Sequence, residues 1–292
     1  MIINAISDLH YELNNPAMIK RAADKIIENN PDVLVVPGDI AVSYDALREV
    51  LGFFEKYKGK KIACLGNHDI WVTDKVQDSH EKSEKVIRIL KEHGFNVLDE
   101  NPVLIGRTAF VGNIGWYDYS FLRTDMLANY EFLNNPRGKK AKDIDEKYLA
   151  QKDFVFVKAG TDEMRRVIWN DIQYAKWNKS DKELTDDLAS KLEKDIKSVY
   201  DSADNIVIVM HHLPFESLLV RKPSDGAWEL TNAYMGSEKF GNIIKNYDIA
   251  AKHMIFVGGH THERRHATVG NVACATVAFR REHIEPHSIL LD

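Results

Sequence analysis

Five short, mainly apolar runs recur along the chain and show no alternation of polar and apolar positions. An apolar run of this kind is expected of a strand that is covered on both faces, as in a parallel sheet. The runs cover residues 1–7, 32–36, 61–65, 205–210 and 254–257. They predict the core strands of an α/β fold.

Helical spacing of apolar residues separates the first three runs. One predicted helix begins at Pro16, a second begins near Ser43, and a third extends from about Ser79 to His93 and ends at Gly94. This β-α-β-α-β-α order predicts a largely parallel sheet with helices outside it. Further strands are predicted near 103–105 and 108–113, a helix around 237–247, and closing strands of a second sheet at 271–279 and 288–291.

Residues 116–203 break this order. No run in this segment has the composition of the five strands, and the segment is rich in lysine, acidic residues and aromatic residues. Its clearest element is a helix that a Ser180-x-x-Glu183 capping box opens and that continues to about Val199. We interpret the segment as a mainly helical insertion within a single domain that spans residues 1–292.

Side chains that can bind metals follow each of the five runs. Ligands in open α/β sheets collect at the carboxyl ends of strands, so these side chains are expected to meet. In chain order the motifs are Asp8-Leu9-His10, Gly38-Asp39, Gly66-Asn67-His68-Asp69, His211-His212 and Gly259-His260-Thr261-His262. Any one of them can arise by chance in a polar turn, but chance does not account for five in this order.

This set of motifs resembles the calcineurin-like metallophosphoesterase superfamily, whose pattern reads D-x-H, G-D, G-N-H-D/E, H and G-H-x-H. Every motif of the pattern is present, in order, between residues 8 and 262. The resemblance implies a four-layered αββα sandwich with a dinuclear metal centre. It also implies a reaction in which a metal-bridging hydroxide attacks the phosphorus atom.

The resemblance further implies two sets of metal ligands that share one carboxylate. Asp8, His10, Asp39 and His262 would bind one ion, and Asp39, Asn67, His211 and His260 would bind the second. Two divalent cations, two carboxylates and a bridging hydroxide leave about one positive charge to attract a phosphate. Mixed His, Asp and Asn ligation suits Mn²⁺, Fe or Zn²⁺, and the sequence does not choose among these three.

His68 follows a predicted ligand but is not itself expected to bind metal. The resemblance gives it a catalytic role, either stabilising the transferring phosphoryl oxygens or protonating the leaving group. The alternative is a structural histidine that hydrogen-bonds nearby backbone. Protein serine/threonine phosphatases carry an aspartate that orients this histidine, whereas Val42 stands at that position here. A protein phosphatase is therefore disfavoured, and the support of His68 is an open question.

Composition limits the partners and the location. A formal net charge of −5 gives no support for attraction to nucleic acid or to an anionic membrane, so neither partner is expected. No stretch approaches the ~18 to 20 apolar residues of a membrane span, and a cleavable leader would remove the ligand pair that begins at Asp8. We therefore expect a cytoplasmic protein. Cys64 and Cys274 lie in apolar runs and are expected to be buried free thiols.

These observations predict a metal-dependent phosphoesterase, either a phosphatase or a phosphodiesterase, that cleaves a small, nucleotide-like phosphomonoester or phosphodiester. The alternative is a non-catalytic member of the fold that acts as an interaction scaffold. Such members usually show eroded ligand sets, and here all the ligands and His68 are retained. Because the insertion follows strand 108–113, we expect it to form a wall or lid over the metals, with Trp116 and Tyr117 contacting the leaving group. The alternative is that such aromatic residues form the core of the insertion.

Overall fold

Two β-sheets form the centre of the computed structural model, which describes residues 1–73, 76, 78–248, 252–279 and 285–291. Within these residues the first sheet has five strands, in the order β14 (His287–Leu290), β1 (Ile2–Ala5), β2 (Val33–Pro37), β3 (Lys60–Cys64) and β4 (Phe95–Val97). The second has six, in the order β12 (Arg264–Val269), β13 (Val272–Val277), β11 (His253–Gly258), β10 (Asn205–Met210), β6 (Thr108–Asn113) and β5 (Val103–Ile105).

Most neighbouring strands in both sheets are parallel, as the sequence predicts. Antiparallel pairing occurs at three edges, where β14 pairs with β1, β12 with β13 and β5 with β6. Of the two closing strands predicted for a second sheet, run 271–279 forms β13 of that sheet, whereas run 288–291 forms β14 at the edge of the first sheet, so the second assignment is wrong. The carboxyl ends of the parallel strands point the same way within each sheet, which is the arrangement that brings their polar loops together.

Helices cover the outer faces of the two sheets. The first sheet packs against α1 (Pro16–Asn29), α2 (Tyr44–Gly52) and α3 (Ser79–Glu92). The second packs against α6 (Asp181–Val199) and α8 (Glu238–Tyr247), and α7 (Gly226–Thr231) precedes α8. The starts of α1 and α2 agree with the predictions. The side chains of Asn15 and Ser43 cap these helices by accepting hydrogen bonds from first-turn N–H groups.

Strand β2 shows why its apolar run lacks alternation. Leu34 and Val36 lie in the hydrophobic cluster on the helix side of the first sheet, whereas Val33 and Val35 lie in a second cluster. That second cluster also contains Val207 of β10, so the two sheets meet face to face there. Both faces of the strand are buried, and every position is therefore apolar. The α/β fold class is confirmed, and the layers are consistent with the αββα order.

The insertion contains more strand than the sequence predicts. The predicted capping box is present, with Ser180 and Glu183 bonding reciprocally at the start of α6. However, β7 (Tyr130–Phe132), β8 (Asp153–Lys158) and β9 (Met164–Ile168) form an antiparallel sheet, accompanied by the short helices α4 (Glu146–Leu149) and α5 (Asp171–Tyr174). The interpretation as a mainly helical insertion missed this sheet.

The physical reason lies in the alternating pattern of β8. Phe154 and Phe156 are buried while Asp153, Val155 and Val157 are only half-buried, which is the period of a strand with one covered face. A search for fully apolar runs like those of the core strands therefore does not detect β8. The buried phenylalanines share one hydrophobic cluster with α1, α2 and α3, which supports our proposal that residues 1–292 form a single domain.

Two expectations drawn from composition concern the cysteines and the membrane. Cys64 and Cys274 are both buried and free, as predicted. Burial raises the pKa of the Cys274 thiol to about 12, so this thiol stays protonated near neutral pH. Among the described helices, none has both the length and the apolar character that crossing a bilayer requires.

Candidate metal centre

Five of the predicted ligands have a left-handed backbone conformation that residues other than glycine rarely adopt. The φ angles are 57° at Asp8, 38° at His10, 52° at Asp39, 71° at His260 and 53° at His262. Each left-handed residue of this kind costs of order 1 kcal/mol or more, and such residues cluster at functional sites. The loops after the strands are therefore shaped to aim these side chains inward at the expense of local stability.

Glycines allow these loops to approach one another closely. A Cβ atom on Gly66 would collide with Asp39 Oδ1 and with the backbone of Asp39, and one on Gly259 would collide with the Ser7 hydroxyl. Asp69 adds a brace, because its buried carboxylate accepts hydrogen bonds from the backbone N–H groups of Ile40, Ala41 and Gly66. It thus joins the loops after β2 and β3.

One set of donor atoms comes from the loops after β1, β2 and β11. The ligand atoms of Asp8, His10, Asp39 and His262 all lie within 4.8 Å of one another. His10 Nε2 is 3.4 Å from Asp39 Oδ2 and 2.9 Å from His262 Nε2. Asp8 Oδ2 is buried without a hydrogen-bond partner among the described residues. A buried carboxylate oxygen in that state requires a cation or a donor to balance it.

A second set shares Asp39 with the first. The ligand atoms of Asp39, His211 and His260 lie within 4.8 Å of one another, and Asn67 Oδ1 is 3.1 Å from His211 Nε2. Both histidines are oriented through their other ring nitrogen. His211 Nδ1 lies 2.9 Å from the Pro37 carbonyl, and His260 Nε2 lies 3.1 Å from the carbonyl of Tyr234. A carbonyl only accepts, so in a neutral imidazole the nitrogen that faces the site carries the lone pair that a metal ion requires.

The electrostatics of the site favour neutral His10 and His260 next to an ionised Asp39, whereas the facing Asp39 carboxylate outweighs burial and raises the pKa of His211 to about 9. Burial lowers the pKa of His10 to about 4 and, with the neighbouring His212 and His211, takes the pKa of His260 well below its ordinary value. Burial also works to raise the pKa of Asp39, but the facing imidazoles, His211 first, hold it well below its usual range. Imidazole lone pairs around a shared carboxylate match the chemistry of a divalent transition-metal site. The seven predicted ligands therefore fit two cations.

His68 lies beside both donor sets and belongs to neither. Its backbone N–H donates to Asp39 Oδ1 at 2.9 Å, and its ring packs edge-on against His10 with centroids 4.4 Å apart. The other side of the ring stacks on Trp71. Among the described residues, His68 Nδ1 has no hydrogen-bond partner. In the part of the chain that the structure describes, no carboxylate hydrogen-bonds to this Nδ1, in agreement with Val42 at the position where protein phosphatases carry an aspartate.

A model of the calcineurin-like phosphoesterase family matches residues 1–264. The chain belongs to this family. The enzyme class expected from the sequence, a metal-dependent phosphoesterase, is therefore confirmed, and the scaffold alternative is not favoured.

Two relatives illustrate the likeness. The acyl-carrier-protein phosphodiesterase PptH of Mycobacterium tuberculosis is 33% identical over 164 residues, which are 48% of this chain and 49% of that protein. The matched part spans about half the length of this curated relative. The crystal structure of PptH, there called phosphopantetheinyl hydrolase, aligns with 99% of this chain and 96% of that chain at a TM-score of 0.69 and 20% identity. A dimetal phosphatase from Danio rerio aligns with 94% of this chain and 86% of that chain at a TM-score of 0.51 and 14% identity. At these identities the structural matches show a shared fold.

The candidate metal centre of this phosphoesterase opens into a cavity of about 540 Å³. Asp39, Asn67, His68, His260 and His262 line the cavity next to the donor sets. The insertion contributes residues from β9 and the turn that follows it, and α7 lies on another side. The lining also includes Trp71, Arg165, Val167, Trp169, Asp171, Asp225, Trp228 and Glu263. The insertion thus contributes a wall, as expected.

However, the prediction that Trp116 and Tyr117 belong to this wall is wrong. Trp116 and Tyr117 are fully buried and are absent from the lining that the described residues form. Their rings stack on each other and pack against His212 and Tyr234 behind the cavity. The loop after β6 turns inward because its large apolar rings gain more from burial than from a wet cleft. His212 is likewise buried, with Nδ1 3.0 Å from the Ile114 carbonyl.

Proposed function

We propose that the chain is a dinuclear-metal phosphodiesterase. One ion is held by Asp8, His10, Asp39 and His262, and the other by Asp39, Asn67, His211 and His260. The observation that carries this proposal is the membership of Asp39 in both donor sets, in the lining of the cavity. When bound, two Mn²⁺, Fe or Zn²⁺ ions supply Lewis acidity and a water that is deprotonated near neutral pH.

The side chains of the protein orient the substrate and supply a hydrogen-bond donor for the leaving group. His68 lines the cavity beside His10, so its imidazole is placed to donate a hydrogen bond to a phosphoryl oxygen or to the departing oxygen. Trp71 limits the rotation of that ring by stacking on it. Asp8, Asp39, Asn67 and His211 are themselves buried, and water screens electrostatic contacts with buried groups less.

The charge of the lining favours a diester over a monoester. A phosphomonoester carries close to two negative charges near neutral pH, whereas a diester carries one. Among the described lining residues Arg165 is the only lysine or arginine, and its guanidinium Nη1 donates to Asp225 Oδ1 at 2.9 Å. Asp171 and Glu263 add acidic groups to the same lining. Few cations remain beyond the metals to balance a second charge.

The indoles of the cavity indicate how the rest of the substrate is bound. The Nε1 groups of Trp71 and Trp169 both donate to Asp171, and that of Trp228 donates to the Val220 carbonyl. Trp71 stacks on His68 and Tyr174, Trp169 stacks on Tyr234, and Lys222 Nζ lies 3.3 Å from the centroid of the Trp228 ring. The parts of the indoles that line the cavity offer apolar contact. PptH is named for hydrolysis at phosphopantetheinyl groups on acyl carrier protein, and an elongated, partly apolar chain of that kind suits such walls. We therefore propose a phosphopantetheinyl carrier protein as the substrate to test first.

Two assays with Mn²⁺-loaded protein test this proposal. We expect a higher kcat/KM for bis-p-nitrophenyl phosphate than for p-nitrophenyl phosphate, by about tenfold or more, since the difference of one charge is worth of order 1 kcal/mol or more. We also expect conversion of a holo acyl carrier protein to its apo form, detected by mass spectrometry. Faster turnover of the monoester contradicts the diesterase assignment. An intact carrier protein beside active diester hydrolysis contradicts only the carrier-protein substrate, and a panel of cyclic nucleotides and sugar phosphates then identifies the substrate class.

A further inference from the structure

The insertion reaches the candidate metal centre through one buried carboxylate. Asp171, the first residue of α5, is 1% exposed. Its Oδ1 accepts hydrogen bonds from Asn67 Nδ2 at 3.1 Å and from Trp71 Nε1 at 2.7 Å. Its Oδ2 accepts from the Tyr117 hydroxyl at 2.9 Å and from Trp169 Nε1 at 2.8 Å. Four donors thus converge on a side chain that has only acceptors when ionised.

These contacts settle the orientation of Asn67. A side-chain amide has an oxygen on one side and an NH₂ group on the other, and a rotation of 180° exchanges them with little change in shape. Only the oxygen can bind a cation. Asp171 accepts hydrogen bonds and therefore requires the NH₂ group on its side. The oxygen of Asn67 is then turned towards His211 Nε2, 3.1 Å away, in the second donor set.

We propose that Asp171 is a positioning residue for the second metal ion and acts through the amide of Asn67. This inference rests on the proposed dinuclear centre. It also assigns the insertion a role in metal binding, because α5 carries the carboxylate that orients Asn67 of the loop after β3. The same carboxylate holds the indoles of Trp71 and Trp169, which line the cavity. Metal affinity and the shape of the substrate wall are therefore linked through one side chain.

Asp181 provides a matched control. It lies in the same insertion, its side chain is 10% exposed, and it also accepts hydrogen bonds from aromatic donors. Trp116 Nε1 donates to it at 2.8 Å, the Tyr119 hydroxyl donates to it, and Lys152 Nζ forms a salt bridge with it at 2.7 Å. None of these partners is a candidate ligand. Loss of Asp181 therefore damages the packing of the insertion without releasing Asn67.

The experiment is a Mn²⁺ titration of metal-free protein by isothermal calorimetry, with the thermal midpoint of each metal-free variant as a check of folding. Wild type is expected to bind two ions. Asp171→Ala is expected to bind one Mn²⁺ ion with unchanged affinity and the ion at the Asn67 site about 10- to 100-fold more weakly. That is the usual effect of removing a group that orients a metal ligand. Asp181→Ala is expected to lose thermal stability and to keep both affinities. Asp171→Asn retains one acceptor oxygen, so it should weaken the same site by less.

Activity gives a second readout that a purely structural defect does not move. The rate of Asp171→Ala with bis-p-nitrophenyl phosphate should recover at Mn²⁺ concentrations about 10- to 100-fold above those that saturate wild type. If Asp171→Ala does not fold, Asp171→Asn is measured in the same way. Two unchanged affinities in the Asp171 variants, or equal weakening in Asp181→Ala, would overturn the role of Asp171. A wild-type protein that binds fewer than two ions would instead overturn the dinuclear centre itself.

Discussion

The indole of Trp71 stacks on the imidazole of His68, with ring centroids 3.6 Å apart and planes inclined by 26°. Trp71 itself is held by its hydrogen bond to Asp171. The orientation of His68 therefore depends on ring packing and on its backbone contact with Asp39, in place of a carboxylate partner. A histidine supported in this way can still exchange a proton with substrate, because packing restricts the ring without occupying Nδ1.

The first prediction separates His68 from the metal ligands. His68→Ala should retain both metal ions, because His68 lies in neither donor set. It should lower kcat by ~10² to 10⁴, the range for a positioned acid–base group. Metal analysis and steady-state kinetics measure the two effects. His80→Ala is the control, since the His80 side chain is 76% exposed on α3. Loss of metal would make His68 a ligand, and an unchanged kcat would make it structural.

The second prediction concerns Trp228, which lines the cavity. Trp228→Ala should raise KM for a large diester such as the carrier protein and spare bis-p-nitrophenyl phosphate, which reaches less of the wall. Loss of one indole contact of about 1–2 kcal/mol corresponds to a change of about 5- to 30-fold. Michaelis–Menten kinetics with the two substrates measure the difference. Equal changes for both substrates would show that Trp228 supports the fold and does not select the substrate.

The third prediction replaces the expectation that Trp116 contacts the leaving group. Because Trp116 is fully buried, Trp116→Ala should lower the free energy of unfolding by about 3–5 kcal/mol, as large-to-small changes of buried aromatic residues do. The remaining folded protein should show the same KM for small and large diesters. Urea unfolding and kinetics measure the two quantities. A selective rise in KM for the large substrate would restore Trp116 to the substrate wall.

The metal-binding motifs could be predicted from the sequence because each lies within a few residues of a strand end. All seven predicted ligands come together in the structure, although their binding of metal remains a prediction. Trp71 and Trp228 carry no such local signal, and the partners of Asp171 are remote. Asn67 and Asp171 are 104 residues apart. Their contact depends on how the insertion packs on the core, which no local pattern encodes. Trp116 was misplaced for the same reason, since hydrophobicity alone does not say which surface buries a ring.

The fourth prediction tests the strand that closes the first sheet. Burial, followed by the neighbouring His266 and Arg264, lowers the pKa of His287 in β14 from 6.5 to about 4. The folded protein then binds fewer protons than the unfolded chain below pH 6.5, so stability is present above that pH and is lost as the pH falls towards 4. With allowance for partial exposure, the loss at pH 5 is about 1 kcal/mol. His287→Gln should reduce the loss between pH 7.5 and pH 5 by this amount in urea unfolding. An identical pH dependence in the two proteins would contradict the assignment.

The central claim is that Asp39 joins two metal ions in one site, and metal content tests it most directly. Protein dialysed against Mn²⁺ and then against metal-free buffer is analysed by inductively coupled plasma mass spectrometry, with wild type and Asp39→Ala side by side. Because Asp39 belongs to both donor sets, wild type should retain two ions per chain, and Asp39→Ala should retain fewer than one and hydrolyse no diester. Two ions per chain in Asp39→Ala, or one or none in wild type, would contradict the account.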